Sequence, residues 1–338
     1  MGKILIIAHR HSQRYGLFDD LQSEERAILR YSFWRPVSNR FLKFLRRIHL
    51  SWKINGIIKL PYRYLWYDFH DVPSLMSEIQ HIVIIDLALE DPVTLELLKK
   101  CRSIKPKLRI SLFFLNAIGS NGSQKRDDLI KTIEHANMFE FDEKYTFDIA
   151  DAKTYGMKYL GFNYYSKHNI KNISNPQHDI YYIGRSSLDR NDLFYTVYNK
   201  LVSEDCDFDL YIKPINAEER RLPGVIYIDK GIRPYNVILE DLQNSKCILE
   251  ILREKQTGPS LRYFEAVCYN KKLLTTNPEI VNFPYYDSRF MKYFSNPKDI
   301  DVEWLKDDSV KVDYHYNGEF SPITLIDQLI EESNNNCS

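Results

Sequence analysis

Neither sign of charge is in surplus: Lys plus Arg number 46, and Asp plus Glu number 46. That balance gives no hint of nucleic-acid binding, which usually requires a basic domain, so no nucleic-acid partner is expected. Cysteine is sparse, with Cys101, Cys206, Cys247, Cys268 and Cys337 scattered and no CxxC pair among them. An odd, dispersed set argues against a disulfide framework or a zinc site and fits reduced thiols in a cytosol. Long apolar runs are missing too, since the N-terminal run Ile4 to Ala8 ends at once in His9-Arg10-His11-Ser12. It is shorter than the core of a signal peptide and far short of the roughly 20 residues that cross a bilayer, so a cytoplasmic protein is expected. No GxGxxG follows a strand, which removes an NAD-type dehydrogenase. No P-loop, HExxH, GxSxG or kinase signature is present, and no repeat recurs at a period of 20–50 residues.

What is present is a chain of 338 residues, too long for one ordinary core. Aromatics are abundant (24 Tyr, 18 Phe, 4 Trp), which fits an AT-rich coding composition, with faces for stacking sugars or bases as a second use. Lys3 to Ala8, His81 to Asp86 and Leu108 to Leu115 are unalternating apolar runs that read as parallel strands buried on both faces. Met138 to Phe141, ending at Asp142, reads as a weaker fourth strand. Asp91 to Lys100 carries an acidic cap, Pro92 in its first turn and a basic end, the signature of a helix. Tyr164 to Asp179 is polar and Asn-rich, as linkers are.

After it the pattern restarts. Strands are expected at Asp179–Gly184, Phe208–Lys213, Val225–Asp229, Lys246–Ile251 and Lys272–Thr276, with helices at Asp189–Ser203, Pro234–Ser245 and Ser260–Asn270. The class is therefore α/β, with two Rossmann-like domains whose parallel sheets face a central cleft. Residues 1–165 form the first domain and 166–315 the second. Residues 316–338 form a helix and tail that pack back on the body.

Two segments carry a family resemblance. One is Ser245 to Ile251 with Gln256-Thr257-Gly258, Ser260-Leu261-Arg262, Phe264-Glu265-Ala266 and Lys271 to Asn277; the other is Phe141 to Asp148 with Asp151-Ala152 and Tyr155-Gly156. Together they resemble GT-B glycosyltransferases, in particular those of bacterial polysaccharide and lipopolysaccharide biosynthesis. The resemblance implies a nucleotide-sugar donor (UDP or GDP) in the second domain and a glycan or lipid-linked acceptor in the first. It implies no cofactor and no metal, and it gives Glu265 the ribose diol to hold. The family often has a second Glu eight residues earlier; here that position is Thr257, a departure from the best-known retaining branch.

The chemistry of the residues runs parallel to the resemblance. A diphosphate needs fixed cations and oriented amides, and a helix N-terminus supplies the latter. Gly258 and Ser260 precede the helix that carries Arg262 and Glu265, while Arg185 and Lys213 close two strands of the second sheet. Arg185, Lys213, Gly258, Ser260 and Arg262 are therefore the expected diphosphate contacts, with the three cations giving the largest catalytic term. The alternative for Arg262 and Glu265 is an exposed (i, i+3) ion pair worth a few tenths of a kcal/mol. Asp229 and Tyr235 are expected beside Glu265 around the nucleoside. On the acceptor side His11, after the first strand, is the expected proton acceptor. Asp19 and Asp142 are named with it, and Asp20 and Asp86 are further alternatives.

Asp207-Phe208-Asp209 has the DxD form of a metal–diphosphate site in another fold, but it leads straight into an apolar strand and reads as a solvated turn. Gly119 to Ser123 reads as a flexible loop over the acceptor. Arg30 to Tyr67 holds nine Lys or Arg and no acidic residue, interleaved with aromatics. That combination points to peripheral contact at the inner face of a membrane. The rival readings are a sugar-nucleotide epimerase on the same architecture and an inactive scaffold subunit.

Overall fold

The computed structural model of the chain describes residues 2–32, 35–58, 60–67, 71–85, 92–118, 134, 137, 139–161, 163–215, 221–253 and 256–335. Two sheets of six parallel strands organise it. The first contains β1 (Lys3–His9), β2 (Ala27–Ser32), β3 (Ile79–Ile85), β4 (Arg109–Phe114), β5 (Glu143–Thr146) and β6 (Lys158–Tyr159), in the order β2-β1-β3-β4-β5-β6. The second contains β7 (His178–Arg185), β8 (Phe208–Lys213), β9 (Val225–Tyr227), β10 (Ser245–Glu250), β11 (Lys272–Thr275) and β12 (Met291–Tyr293), in the order β12-β11-β10-β7-β8-β9. The apolar runs seen in the sequence are the central strands: Ile4 to Ala8 and Ile82 to Ile85 are all buried. Such strands are covered by helices on both faces, so their side chains need not alternate.

Among the described residues ten α-helices connect and cover the strands: α1 (Arg10–Arg14), α2 (Arg40–His49), α3 (Trp52–Ile57), α4 (Pro92–Ile104), α5 (Ile149–Tyr155), α6 (Leu188–Ser203), α7 (Tyr235–Gln243), α8 (Leu261–Cys268), α9 (Val302–Lys306) and α10 (Pro322–Asn335). In each sheet the chain starts at a central strand, runs to one edge, then crosses to the other side of that strand. The crossings fall between β1 and β3 and between β7 and β10. Ligands of open α/β sheets bind outside the carboxyl ends of strands at such points.

One strand is displaced from its expected place. Residues 139–142 are not a strand; β5 begins at Glu143. The Phe139 and Phe141 rings pack at a tilt with their centroids 4.9 Å apart and fill the edge of the core instead. The Asp142 carboxylate then accepts from Ile110 N at 2.7 Å, at the start of β4.

Helix α10 crosses back to the first sheet. Leu325, Ile326 and Leu329 are buried against Ile4, Ile6, Val83 and Ile85. Each such side chain contributes about 1.5–3 kcal/mol of apolar burial, enough to bind the final segment to the first domain.

Candidate functional site

The carboxyl ends of the two sheets meet across a cavity of about 250 Å³. Ser12 and Tyr15 reach it from α1 and the turn after it, Asn116 and Ala117 from beyond β4, and Phe147 from beyond β5. Arg253, Gln256, Pro259 and Ser260 face them from the loop between β10 and α8.

On the donor side, Arg185 and Lys213 are paired partners at the ends of the parallel strands β7 and β8, so their side chains leave the same edge. Lys213 Nζ donates to Gly231 O at 3.0 Å. The Arg190 guanidinium donates to the carbonyls of Arg185 and Ile251, tying the end of β7 to the end of β10 at the crossing point. Asp229, following β9, pairs with Arg221 at 2.6 Å on the exposed rim.

The loop before α8 already holds an anion. Asp148 follows β5 and caps α5, its Oδ1 accepting from Ala150 N (2.9 Å) and Asp151 N (3.1 Å). Its Oδ2 crosses to the second domain and accepts from Thr257 N (3.2 Å), Thr257 Oγ1 (2.8 Å) and Gly258 N (2.9 Å). A Cβ on Gly258 would lie 2.4 Å from Phe147 Cε2. Gly258 is thus needed for close approach, but the approaching group is a ring of the first domain, and its amide is given to Asp148 rather than left for a phosphate.

Ser260 caps α8, its Oγ accepting from Arg262 N at 3.0 Å and donating to Glu250. Glu250 is buried and also accepts from Thr275 Oγ1. Burial pushes its carboxyl pKa up, against the hydrogen bonds from Ser260 and Thr275.

Arg262 and Glu265 do form an (i, i+3) ion pair, but it is not exposed: Glu265 has 0% of its surface accessible. Glu265 Oε1 accepts from Tyr235 Oη at 2.8 Å, so both carboxylate oxygens are taken within the protein. Tyr235 Oη lies 3.0 Å from Tyr165 Oη in the linker, and Tyr15 of the first domain packs edge-on against the Tyr235 ring at 5.1 Å. Arg262, Glu265 and Tyr235 are therefore brought together at the joint between the domains, with no oxygen of Glu265 left open to a cleft.

The acceptor-side candidates separate. His11 lies on α1 beside the cavity residue Ser12, and its side chain is outside the described residues, as are Asp86 and the loop Gly119 to Ser123. Asp19 lies by Gly16, where φ is +56° and a Cβ would approach both Asp19 Oδ2 and His168 Cε1. Asp20 instead joins three segments: its N–H donates to Ser166 Oγ and its carboxylate accepts from Ser321 Oγ. Asp142 precedes a strand rather than ending one. It pairs with Arg102 at 2.8 Å at the amino end of the sheet, away from the cleft, which removes it from the acceptor-side set. Asp207 likewise lies before β8, bonded to His178 Nδ1 at 3.0 Å. Among the described residues no group of three or more His, Cys, Asp or Glu could hold a metal ion.

The residue that chemistry-based reading missed is Asp151. It is buried, accepts from Ile118 N at 2.6 Å, and is pushed up to about 6 by burial, with the Asp148 charge adding to the effect. The signal was the D-x-x-D spacing of a helix start after a strand.

No family model matches the sequence, and no curated protein matches it. Solved structures do resemble the fold. An α-glucosyltransferase in complex with UDP and a 13-mer DNA containing a HMU base aligns over 98% of both chains at 12% identity, with a TM-score of 0.55. The glycosyltransferase SnogD from Streptomyces nogalater aligns over 81% of this chain and 82% of its own at 11% identity and a TM-score of 0.37. The UDP-N-acetylglucosamine 2-epimerase from Rickettsia bellii aligns over 82% and 80% at 9% identity and a TM-score of 0.41. With two six-stranded parallel sheets, the crossing points facing one cleft and a last helix returned to the first domain, the chain has the GT-B fold.

Proposed function

We propose that the chain is a glycosyltransferase that takes a sugar from a nucleoside diphosphate, UDP before GDP, and passes it to an acceptor held by the first domain. The observation that carries this reading is the pairing of Arg185 with Lys213 at the carboxyl edge of the second sheet, where the strand order crosses to β10 and its loop leads to the Ser260-capped start of α8. Two cations and oriented amides at a crossing point are what a departing diphosphate needs. The UDP in the α-glucosyltransferase of like architecture supports a uridine donor.

In this reading Arg185, Lys213 and the Ser260-capped start of α8 stabilise charge as the sugar leaves. Gly258 serves instead as the cross-domain contact. Glu265 and Arg262 act from behind, holding Tyr235 and the joint. His11, next to the cavity residue Ser12, is the proposed proton acceptor from the acceptor hydroxyl, with Asp19, in the short helical segment that follows α1, the alternative. The reaction is proposed to run without a metal, so that chelators leave it unchanged. The resemblance of Ser245 to Asn277 to polysaccharide enzymes supports a glycan or lipid-linked acceptor of a bacterial surface polysaccharide.

A thermal-shift panel of UDP, GDP, CMP, ADP and NAD tests the donor assignment. A ligand at 100 times its Kd stabilises by about 2.7 kcal/mol, a shift of several degrees. UDP or GDP should give that shift in the wild type and lose most of it in the Arg185→Ala, Lys213→Ala double variant. No shift with any nucleotide at millimolar concentration favours a scaffold, and isomerised sugar nucleotide without acceptor favours an epimerase.

A further inference from the structure

Helix α2 has no buried residue over its ten positions. Phe41, Phe44, Leu45 and Ile48 recur at i, i+3, i+4 and i+7, which places them on one stripe. That stripe faces water: Phe41 is 65% exposed and Phe44 57%, with Leu45 and Ile48 also exposed. Arg40, Lys43 and Arg47 follow the same spacing on its flank and are exposed as well.

The helix is nonetheless fixed in place. Asn39 Oδ1 caps it, accepting from Phe41 N and Leu42 N, and Arg46 Nη1 donates to Arg35 O at 2.9 Å. Trp66 Nε1 donates to His49 Nδ1 at 2.7 Å, leaving His49 Nε2 to donate to Pro61 O. Arg35 N donates to Trp66 O at 2.8 Å, so the excursion starts and ends at one point. That point follows β2, whose carboxyl end is on the cleft side of the first sheet. The two ends of the excursion therefore hold the Arg46 and His49 side of α2, and the apolar stripe faces outward.

We propose that this face of α2 lies in the headgroup region of an anionic lipid bilayer, with Phe41, Phe44, Leu45 and Ile48 among the acyl chains and Arg40, Lys43 and Arg47 on the lipid phosphates. An apolar stripe flanked by cations on a helix parallel to the surface is the geometry of interfacial binding. Further along the excursion Ile57, 86% exposed, and Ile58 add apolar surface at the end of α3. Among the described residues no helix is long and apolar enough to cross the bilayer, so the contact is to its surface.

Charge decides against the other occupants. Residues 30–67 hold nine cations and no acid, so a second copy docking face to face would set like charges together. A nucleic acid would satisfy the cations but leave the Phe41–Ile48 stripe in water. The inference does not depend on the transferase reading.

Sedimentation of the full chain with phosphatidylcholine vesicles, and with mixed phosphatidylcholine–phosphatidylglycerol vesicles, tests it. Binding is expected to the mixed vesicles and at least about tenfold weaker to neutral ones. Lys43→Glu with Arg47→Glu should weaken binding by about thirtyfold or more at low salt, and Phe44→Ser with Ile48→Ser by about a hundredfold. Both pairs are exposed, so melting temperature and nucleotide response should stay at wild-type values. Equal binding to both vesicle types, or none, overturns the proposal. A dimer that the Phe44, Ile48 pair dissolves, or duplex DNA binding that only the charge pair abolishes, assigns the face to another occupant and overturns it equally.

Discussion

Asp148→Ala is the sharpest probe of how the two domains are held around the cleft. One carboxylate accepts five hydrogen bonds, two that cap α5 and three from the donor loop of the other domain. Losing the cap costs about 1 kcal/mol. Hydrogen bonds to a charged group contribute about 1.5–3 kcal/mol each, but water entering the truncated site replaces part of them. A net cost of about 2–3 kcal/mol is therefore expected for the cross-domain set, and about 3–4 kcal/mol in all. For folding units of this size each kcal/mol moves the melting temperature by about 2–4 °C, so calorimetry should show a drop of about 6–15 °C. Asp148→Asn should fall between, because its amide can accept on one side only while its NH2 faces donors on the other. A drop below about 2 °C for the alanine variant would mean that these contacts add nothing beyond what water supplies and that Asp148 does not hold the domains together.

Arg262→Ala leaves the Glu265 carboxylate buried without its cation, so destabilisation of about 3–5 kcal/mol is expected by chemical denaturation; Arg262→Ala with Glu265→Gln should recover much of it. Arg185→Ala and Lys213→Ala should each cut kcat roughly 100- to 1000-fold while melting as the wild type does, read in a donor-turnover assay. Asp151 gives a pH signature. Its folded pKa of about 6 lies above its ordinary 3.8, so the folded state binds the extra proton between those values, and stability falls as pH rises through that window. Asp151→Asn should remove this slope, gaining at most about 3 kcal/mol above pH 7 and about half that once solvent screening is counted, as read from denaturation at pH 4 and pH 8.

The central strands were legible because a parallel strand covered on both faces must be apolar at every position, as Ile4 to Ala8 is. Edge strands obey no such rule. Ala27 to Ser32 has a polar Arg30 among half-buried positions, and Met291 to Tyr293 is three residues long, so neither stood out against its surroundings. Strand ends were legible as well, which is why Arg185 and Lys213 were named and are found side by side. What local sequence could not carry is contact across the cleft. Asp148 and Gly258 are 110 residues apart, and nothing in either segment says that one carboxylate will occupy the other's amide. Burial of the Arg262–Glu265 pair was hidden for the same reason. Spacing alone places the two on one helix face, while Tyr15, Tyr165 and Tyr235 arrive from distant segments to close it off. Asp142 was misplaced because the two aromatics before it mimic a strand, when they fill a core.

The donor assignment is tested most directly by a crystal structure of the chain soaked with UDP. The diphosphate is expected between Arg185, Lys213 and the start of α8, with the uracil and ribose against the β10–α8 side of the second domain. UDP bound elsewhere, or a site that stays empty at a concentration saturating for the thermal shift, would contradict it.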